Sequence, residues 1–142
     1  MSVSIRTITL DDYNSVYHLL QQLTEVGEYD PAKYAQYIDT LSPNIHIVVL
    51  CTPTQIIGLG TIIIEHKIIH SFSKVGHIED IVIDVSYNGK GYGQQLIQYL
   101  IDYAQQQGCY KVILDCSDEV KEFYTKCGFT QKNISMGIYF TP

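Results

Sequence analysis

The stretch that decides the fold runs from Ile62 to Gly93 and reads IIIEHKIIHSFSKVGHIEDIVIDVSYNGKGYG. A long apolar strand leads into a turn with glycines at alternate positions, Gly89, Gly91 and Gly93, and an amphipathic segment follows. Glycine permits positive φ and lets backbone N–H groups approach a ligand without an intervening Cβ, while the following helix adds the positive end of its dipole. The pattern predicts a strand, a phosphate-binding loop and a helix.

The spacing of the glycines narrows the choice of ligand. It matches neither G-x-G-x-x-G nor G-x-x-x-x-G-K-[ST], so the dinucleotide and P-loop interpretations lack their defining residues. A coenzyme A pyrophosphate is the better candidate. The charge distribution suits a small polyanion, because only Arg6 and Lys33 of the nine cations precede Lys67 and positive charge therefore lies around the glycine turn.

Composition limits the classes of function. With 142 residues, 46% of them hydrophobic, the chain has the length of one domain, residues 1–142, and enough apolar material for a continuous core. A net charge of −6 with no two adjacent Lys or Arg residues argues against nucleic-acid binding. No segment has the features of a signal peptide or a membrane span, so we expect a cytosolic protein. The four cysteines form no C-x-x-C pair, and we expect them to be buried free thiols.

The predicted elements alternate between strands and helices and define an α+β chain. A strand at Ser4–Leu10 precedes a helix that Asp11 can cap and Gly27 stops, and Pro31 opens a second short helix. The strand His77–Val85, the helix Gly91–Gln107 and the strand Lys111–Cys116 follow one another directly. We therefore expect these two strands to form a parallel pair whose C-terminal ends lie side by side. The later elements are strands at Ile45–Cys51, Gln55–Glu65, His77–Val85 and Lys111–Cys116, helices at Gly91–Gln107 and Glu119–Lys126, and a final strand pair.

Two adjacent carboxylates, Glu79 and Asp80, interrupt an otherwise apolar strand, and strand alternation predicts that they project from opposite faces. One of them must face inward or into a cleft, where partial burial would raise its pKa and suit it to accept a proton from an amine. An ordinary salt bridge is the alternative. His66 and His70 lie four residues apart, but HKIIH lacks the glutamate of H-E-x-x-H, so we expect no metal site.

Four segments resemble the glucosamine 6-phosphate N-acetyltransferases of the GNAT superfamily: the strand-and-loop region IIIEHKIIHSFSKVGHIEDIVID, then GKGYG, GCYKVILDC and EFYTKCGF. LTEVG at 23–27 and the segment around Met136 add weaker support. The resemblance implies a GNAT fold, in which helices flank a splayed mixed sheet. Acetyl-CoA would lie in the V where strands Gly76–Val85 and Lys111–Cys116 separate. The resemblance also implies a homodimer.

By the same resemblance, backbone groups of the strand before the glycine turn would bind the pantetheine amides of acetyl-CoA, and the turn itself would hold the pyrophosphate. Tyr124 would approach the coenzyme sulfur. The implied coenzyme-binding residues are Ile81, Val82, Ile83, Gly89, Lys90, Gly91, Tyr92, Gly93, Gln94 and Tyr124.

The implied reaction transfers acetyl from acetyl-CoA to the 2-amine of D-glucosamine 6-phosphate by direct attack in a ternary complex, feeding UDP-N-acetylglucosamine synthesis. Tyr124, as a phenol with an ordinary pKa of about 10, could protonate a thiolate whose pKa is about 8.5. Glu79 is the candidate base, and Asp115 would help to position the amine. Without the resemblance, Tyr124 is a core aromatic residue and Asp115 a strand-end cap. Cys116 and Cys127 flank the cleft, but no histidine lies nearby in sequence, so packing explains them better than an acyl-cysteine.

Contacts to the sugar and its phosphate also follow from the resemblance. Lys67 and His70, with Tyr110 and Lys111, would meet a dianion and hydroxyl groups through charge-assisted hydrogen bonds. For Lys67 alone, a solvated surface lysine is the alternative. The implied substrate-binding residues are Thr24, Lys67, His70, Glu79, Asp80, Tyr110 and Lys111.

The chain departs from the family at three positions. Asn88 stands where the superfamily motif prefers Gln or Arg, and Val120 replaces an asparagine that commonly contacts the pantetheine arm. Tyr139 stands where the family usually carries an arginine that meets the substrate phosphate from the partner subunit, so a neutral donor replaces a charged fork. Two alternatives stay open: an acetyltransferase for another amine, such as an unphosphorylated amino sugar, and a silent acyl-CoA-binding module.

Overall fold

A five-stranded sheet in the order β1-β2-β3-β4-β5 forms the centre of the computed structural model, which describes residues 2–141. The first four strands are antiparallel neighbours, and β5 joins β4 in parallel, which confirms the predicted mixed sheet. The strands are β1 Ser4–Thr7, β2 Ile45–Cys51, β3 Ile56–His66, β4 Lys74–Ile83 and β5 Cys109–Ile113. The helices are α1 Tyr13–Leu23, α2 Pro31–Asp39, the single turn α3 Ile69–Phe72, α4 Tyr92–Gln106 and α5 Lys121–Lys126.

The hydrophobic core has two parts, one on each face of the sheet. Ile47 and Val49 of β2 pack with α1 and α2, whereas Val48 packs with α4 on the opposite face. This alternation along β2 buries both of its faces. Helix α4 presents the apolar stripe that its sequence predicts, and its Leu96 and Leu100 are fully buried. Burial of each such side chain stabilises the fold by about 1.5–3 kcal/mol.

The turn before α1 depends on Asp12, not on Asp11 as the sequence suggested. The Asp12 carboxylate is buried, accepts a hydrogen bond from the backbone N–H of Thr9 at 2.8 Å, and binds both terminal nitrogens of Arg6 at 2.8 and 2.9 Å. Because this pairing bends the chain away from the sheet, β1 ends at Thr7, three residues earlier than predicted. Helix α1 then ends at Leu23, before the predicted stop at Gly27.

Strands β4 and β5 pair only over a short distance. Their partners run from Lys74 and Cys109 to His77 and Ile113, and no pair follows within residues 2–141. β5 therefore ends three residues before the predicted boundary, and Asp115 lies beyond it. The two strands separate as the family resemblance implied.

The final strand pair predicted from the sequence does not form. Residues 130–141 contain neither helix nor strand, and several large apolar side chains there are almost fully exposed. Backbone groups of a strand need a ladder partner, and within residues 2–141 this segment pairs with none of the five strands. The exposed side chains are Ile134, Met136, Ile138, Tyr139 and Phe140, between 83% and 94% accessible.

Candidate active site

The glycine turn leads directly into α4. Gly89 and Gly91 have φ of 76° and 83°, values that glycine adopts without strain, as predicted for this turn. A Cβ at either position would meet no heavy atom of residues 2–141 within 4 Å, so these glycines serve the backbone conformation and leave its outer side open to a ligand. Gly93 lies inside α4, where a Cβ would come within 2.9 Å of Phe123 Cζ. Close packing, not positive φ, therefore requires the third glycine.

A cavity of about 340 Å³ opens where β4 and β5 separate. It brings together residues that the sequence analysis singled out from four distant segments, namely Thr24 after α1, the β4 acidic pair, Asp115 after β5 and Tyr124 on α5. Its complete lining is Leu23, Thr24, Ile78, Glu79, Asp80, Ile81, Leu114, Asp115 and Tyr124.

A β-bulge interrupts β4 at the two adjacent carboxylates, Glu79 and Asp80. Asp80 has φ of 53°, and the register between β3 and β4 shifts between Leu59 and Thr61, opposite this point. The bulge interrupts the strict alternation that would place Glu79 and Asp80 on opposite faces, and both residues line the same cavity. Aspartate tolerates left-handed backbone better than most residues, although such strain costs about 1–3 kcal/mol.

The environment of the cavity raises the pKa of two groups, Glu79 and Tyr124. Partial burial raises the pKa of Glu79, and the nearby negative charges of Asp80 and Asp115 raise it further. Burial also raises the pKa of Tyr124, with a smaller contribution from the thiols of Cys116 and Cys127, so its phenol keeps its proton.

The residues predicted to bind the sugar phosphate lie elsewhere. Lys67 and His70 sit in the β3–β4 connection, where the His70 ring stacks 4.3 Å from that of Tyr110, and Lys111 Nζ lies 5.5 Å from the same ring. Lys67 Nζ is 3.2 Å from the Glu65 carboxylate. None of these predicted phosphate contacts lines the 340 Å³ cavity, so one chain does not bring the two halves of the predicted site together.

A larger cavity of about 520 Å³ lies on the α1–α2 face of the sheet and meets the first cavity at Glu79 and Asp80. Its walls are mainly apolar and aromatic. Tyr29 lines this cavity and forms reciprocal hydrogen bonds of 2.8 Å with Tyr13, in which each hydroxyl donates to the other residue's carbonyl. This pairing ties the connection between α1 and α2 to the start of α1.

Several features were missed or misjudged from sequence. Leu23, Ile78 and Leu114 line the active-site cavity, and Ser135 Oγ donates a hydrogen bond of 3.2 Å to Asp115. The signal in the sequence was adjacency, since Leu23, Ile78 and Leu114 directly precede the predicted site residues Thr24, Glu79 and Asp115. The expectation of buried thiols was wrong, since Cys116 is exposed and the other three cysteines, all free, are partly buried.

The separated parallel strands, the glycine turn and the acidic cavity define a GNAT acyltransferase. The sequence model of the Acetyltransferase (GNAT) family matches residues 13–129, and the chain belongs to this family. Within residues 2–141, no helix combines the length and apolar character needed to cross a bilayer, and no three His, Cys, Asp or Glu side chains cluster as a metal ion would require.

Its relatives share a more specific description. The glucosamine 6-phosphate N-acetyltransferase of Arabidopsis thaliana is 37% identical, and the alignment covers 96% of this chain and 95% of that protein. Glucosamine 6-phosphate N-acetyltransferase 1 of Dictyostelium discoideum is 36% identical over 99% of this chain and 93% of that protein. The crystal structure of the Arabidopsis thaliana enzyme superposes with a TM-score of 0.92 at 35% identity, covering 99% of this chain and all of that one.

Proposed function

We propose that the protein, as a single acetyltransferase domain over residues 1–142, transfers acetyl from acetyl-CoA to the 2-amine of D-glucosamine 6-phosphate, giving N-acetyl-D-glucosamine 6-phosphate and CoA. The observation that carries this proposal is the cavity between β4 and β5, where Glu79, Asp80, Asp115 and Tyr124 meet. The relatives at 36% and 37% identity over nearly the whole chain support the choice of acceptor.

The chain has features that fit acetyl-CoA. The open side of the turn at Gly89 and Gly91, followed by the N-terminus of α4, suits the pyrophosphate, and β4 beyond its last partner on β5 suits the pantetheine arm. The coenzyme-binding set is Ile81, Val82, Ile83, Gly89, Lys90, Gly91, Tyr92, Gly93, Gln94 and Tyr124. When bound, the coenzyme supplies the thioester and departs as a thiol.

Three side chains, Glu79, Asp115 and Tyr124, have roles in the transfer itself. An amine attacks only when neutral, and Glu79, whose raised pKa makes it a better proton acceptor than an ordinary glutamate, takes the ammonium proton directly or through water. Asp115 orients the amine from the other wall of the cavity. Tyr124 gives its proton to the departing sulfur, and the second proton that the nitrogen loses as the amide forms restores the phenol through solvent. The proton taken up by Glu79 returns to solvent. The attack proceeds within a ternary complex, without an acyl-enzyme.

Recognition of the phosphate requires a second copy of the chain. Lys67, His70 and Lys111 lie outside the cavity of their own chain, so we assign them to the phosphate in a homodimer. Two observations support this assembly: the apolar segment 130–141 lies exposed without a strand partner, and the outer edge of β5 is one of the two free edges of the sheet. The four free cysteines support the cytosol as its compartment.

The decisive experiment incubates the purified protein with acetyl-CoA and glucosamine 6-phosphate while free thiol is measured. We expect thiol release that depends on the sugar phosphate, with N-acetylglucosamine 6-phosphate as the product. No release at millimolar acceptor would contradict the proposal. Equal kcat/KM for glucosamine with and without its phosphate would favour the alternative acceptor that Tyr139 suggests, and coenzyme binding without any cleavage would favour a silent binding module.

A further inference from the structure

Helix α5 carries Tyr124 into the cavity, yet little holds it in place. It has six residues, and none of these six is fully buried. Its N-cap is Val120, which has no side-chain oxygen to accept a hydrogen bond from the first N–H groups of the helix. The position of α5 therefore depends on the packing of its half-buried residues, among them Phe123.

The ring of Phe123 lies in a notch that exists because residue 93 is glycine. A Cβ built on Gly93 would come within 2.9 Å of Phe123 Cζ and 3.1 Å of Cε1, whereas carbon atoms in good contact are about 3.5–4.0 Å apart. The φ of Gly93 is not positive, and alanine is favoured over glycine inside a helix by about 1 kcal/mol. Glycine at this position therefore provides the space that the Phe123 ring occupies.

The notch connects two parts of the coenzyme site. Gly93 is the second residue of α4, directly after the turn that suits the pyrophosphate, and Phe123 precedes Tyr124, with ring centroids 5.0 Å apart. We propose that Phe123 is a positioning residue for acetyl transfer: its ring, seated at Gly93, fixes α5 against α4 and thereby sets where the Tyr124 hydroxyl lies in the cavity. This inference rests on the proposed function, in which Tyr124 protonates the departing sulfur.

The test uses compensating substitutions. G93A adds a methyl group that displaces the Phe123 ring, and we expect kcat to fall about tenfold because small misplacements of a reacting group are costly. Because residue 93 also belongs to the coenzyme-binding set, kcat is compared at saturating acetyl-CoA, and the dissociation constant for coenzyme A is measured by calorimetry for each variant. Leucine at position 123 makes room for the methyl group, so G93A/F123L should recover kcat to within about threefold of F123L. F129L trims the other ring packed on Tyr124, away from Gly93, and should not rescue G93A.

A second measurement separates this inference from the proposed function. In protein labelled with ¹³Cζ-tyrosine, the Tyr124 resonance is assigned by its absence in Y124F. We expect G93A to shift this resonance from its wild-type position. In G93A/F123L the resonance should stay where it lies in F123L. In the Y124F background, G93A should cause no further loss of kcat, because its effect passes through the hydroxyl. An unmoved resonance, a loss that F123L fails to reverse, or additive losses with Y124F would overturn the inference. Absence of thiol release by the wild-type protein would instead refute the proposed function, while the resonance would still decide the seating of Phe123.

Discussion

His77 and Ile113 are the last paired residues of β4 and β5, and Glu79 and Asp115 each lie two residues further along their own segments. The active-site cavity thus begins where the parallel ladder stops. The arrangement places two carboxylates on opposite walls of one opening, and their mutual repulsion adds to the effect of burial in raising the pKa of Glu79. The end of the β4–β5 ladder therefore both opens the cavity and brings together the carboxylates that raise the pKa of Glu79.

Replacing Glu79 should impair chemistry more than coenzyme binding. In E79Q the shape of the side chain is kept but the proton acceptor is lost, and we expect kcat to fall by about 10²-fold, the lower end of the range for a general base. Coenzyme affinity, measured by calorimetry, should be unchanged. E122Q, on the exposed part of α5, is the matched control and should retain full activity. If kcat of E79Q fell by less than about threefold, the assignment of Glu79 as the base would be contradicted.

The pH dependence should report the same group. Glu79 must be ionised to accept a proton, and its pKa in the folded protein is raised above the ordinary value of 4.5. The kcat/KM of the wild-type enzyme should therefore decline, as pH falls, at a higher pH than an unperturbed glutamate would produce. D115N removes one neighbouring negative charge and should move this acid limb part of the way towards lower pH, whatever its effect on the maximum. An acid limb that stays in place would show that another group controls it.

Tyr124 should act on the departing sulfur. We expect Y124F to lower kcat by about 10- to 100-fold while KM for acetyl-CoA changes little, because the hydroxyl assists mainly in the transition state. Y99F, a tyrosine on α4 outside the cavity, is the matched control. If Y124F retained the wild-type kcat, the sulfur would be protonated by solvent or by another residue.

The ion pair between Arg6 and Asp12 should stabilise the fold at neutral pH. R6M leaves the buried Asp12 carboxylate with only its bonds from Thr9, and we expect the free energy of unfolding to fall by about 2 kcal/mol. K33M breaks the exposed pair with Glu28 and should cost less than about 0.5 kcal/mol. Urea denaturation of both variants makes the comparison.

The sign of the pH effect on this pair is fixed by the direction of the shift. The pKa of Asp12 is lowered in the folded protein, so the stability it contributes is present above the ordinary value and is lost as pH falls through the lowered one. The difference in the free energy of unfolding between R6M and wild type should therefore be largest at pH 7 and should shrink at acidic pH, once Asp12 is protonated. A difference that is constant with pH would assign the loss to packing of the arginine side chain.

The sequence predicted the parts of this protein that local physics controls. The glycine turn, the stripe of α4 from Leu96 to Ala104 and the parallel strand pair follow from φ preferences, helical periodicity and element order, and all three were confirmed. The bulge at Asp80 was not predicted, because it depends on the register between β3 and β4, which no local pattern encodes. The prediction of a last strand pair was wrong, because strand formation depends on pairing with distant residues and the segment 130–141 pairs with no strand within residues 2–141.

Lys67, His70 and Lys111 lie outside the cavity, so the contribution of the C-terminal segment to phosphate recognition can be tested by substitution. Lys67 is already paired with Glu65, so the positive charge available to a substrate phosphate is reduced. Tyr139, which is 91% exposed, provides only a neutral hydroxyl where the family resemblance implies an arginine. In Y139R a charged fork could bind the phosphate of the partner subunit's substrate through charge-assisted hydrogen bonds.

We expect Y139R to raise the ratio of kcat/KM for glucosamine 6-phosphate to that for glucosamine by about tenfold, the equivalent of one additional charged hydrogen bond. Y139F, which removes only the hydroxyl, is the matched control and should change this ratio by less than about threefold. The gain should also weaken with added salt, because it is electrostatic and lies near the surface. If Y139R left the ratio unchanged while sedimentation showed a dimer, residue 139 would lie away from the phosphate, and recognition would depend on Lys67, His70 and Lys111 alone.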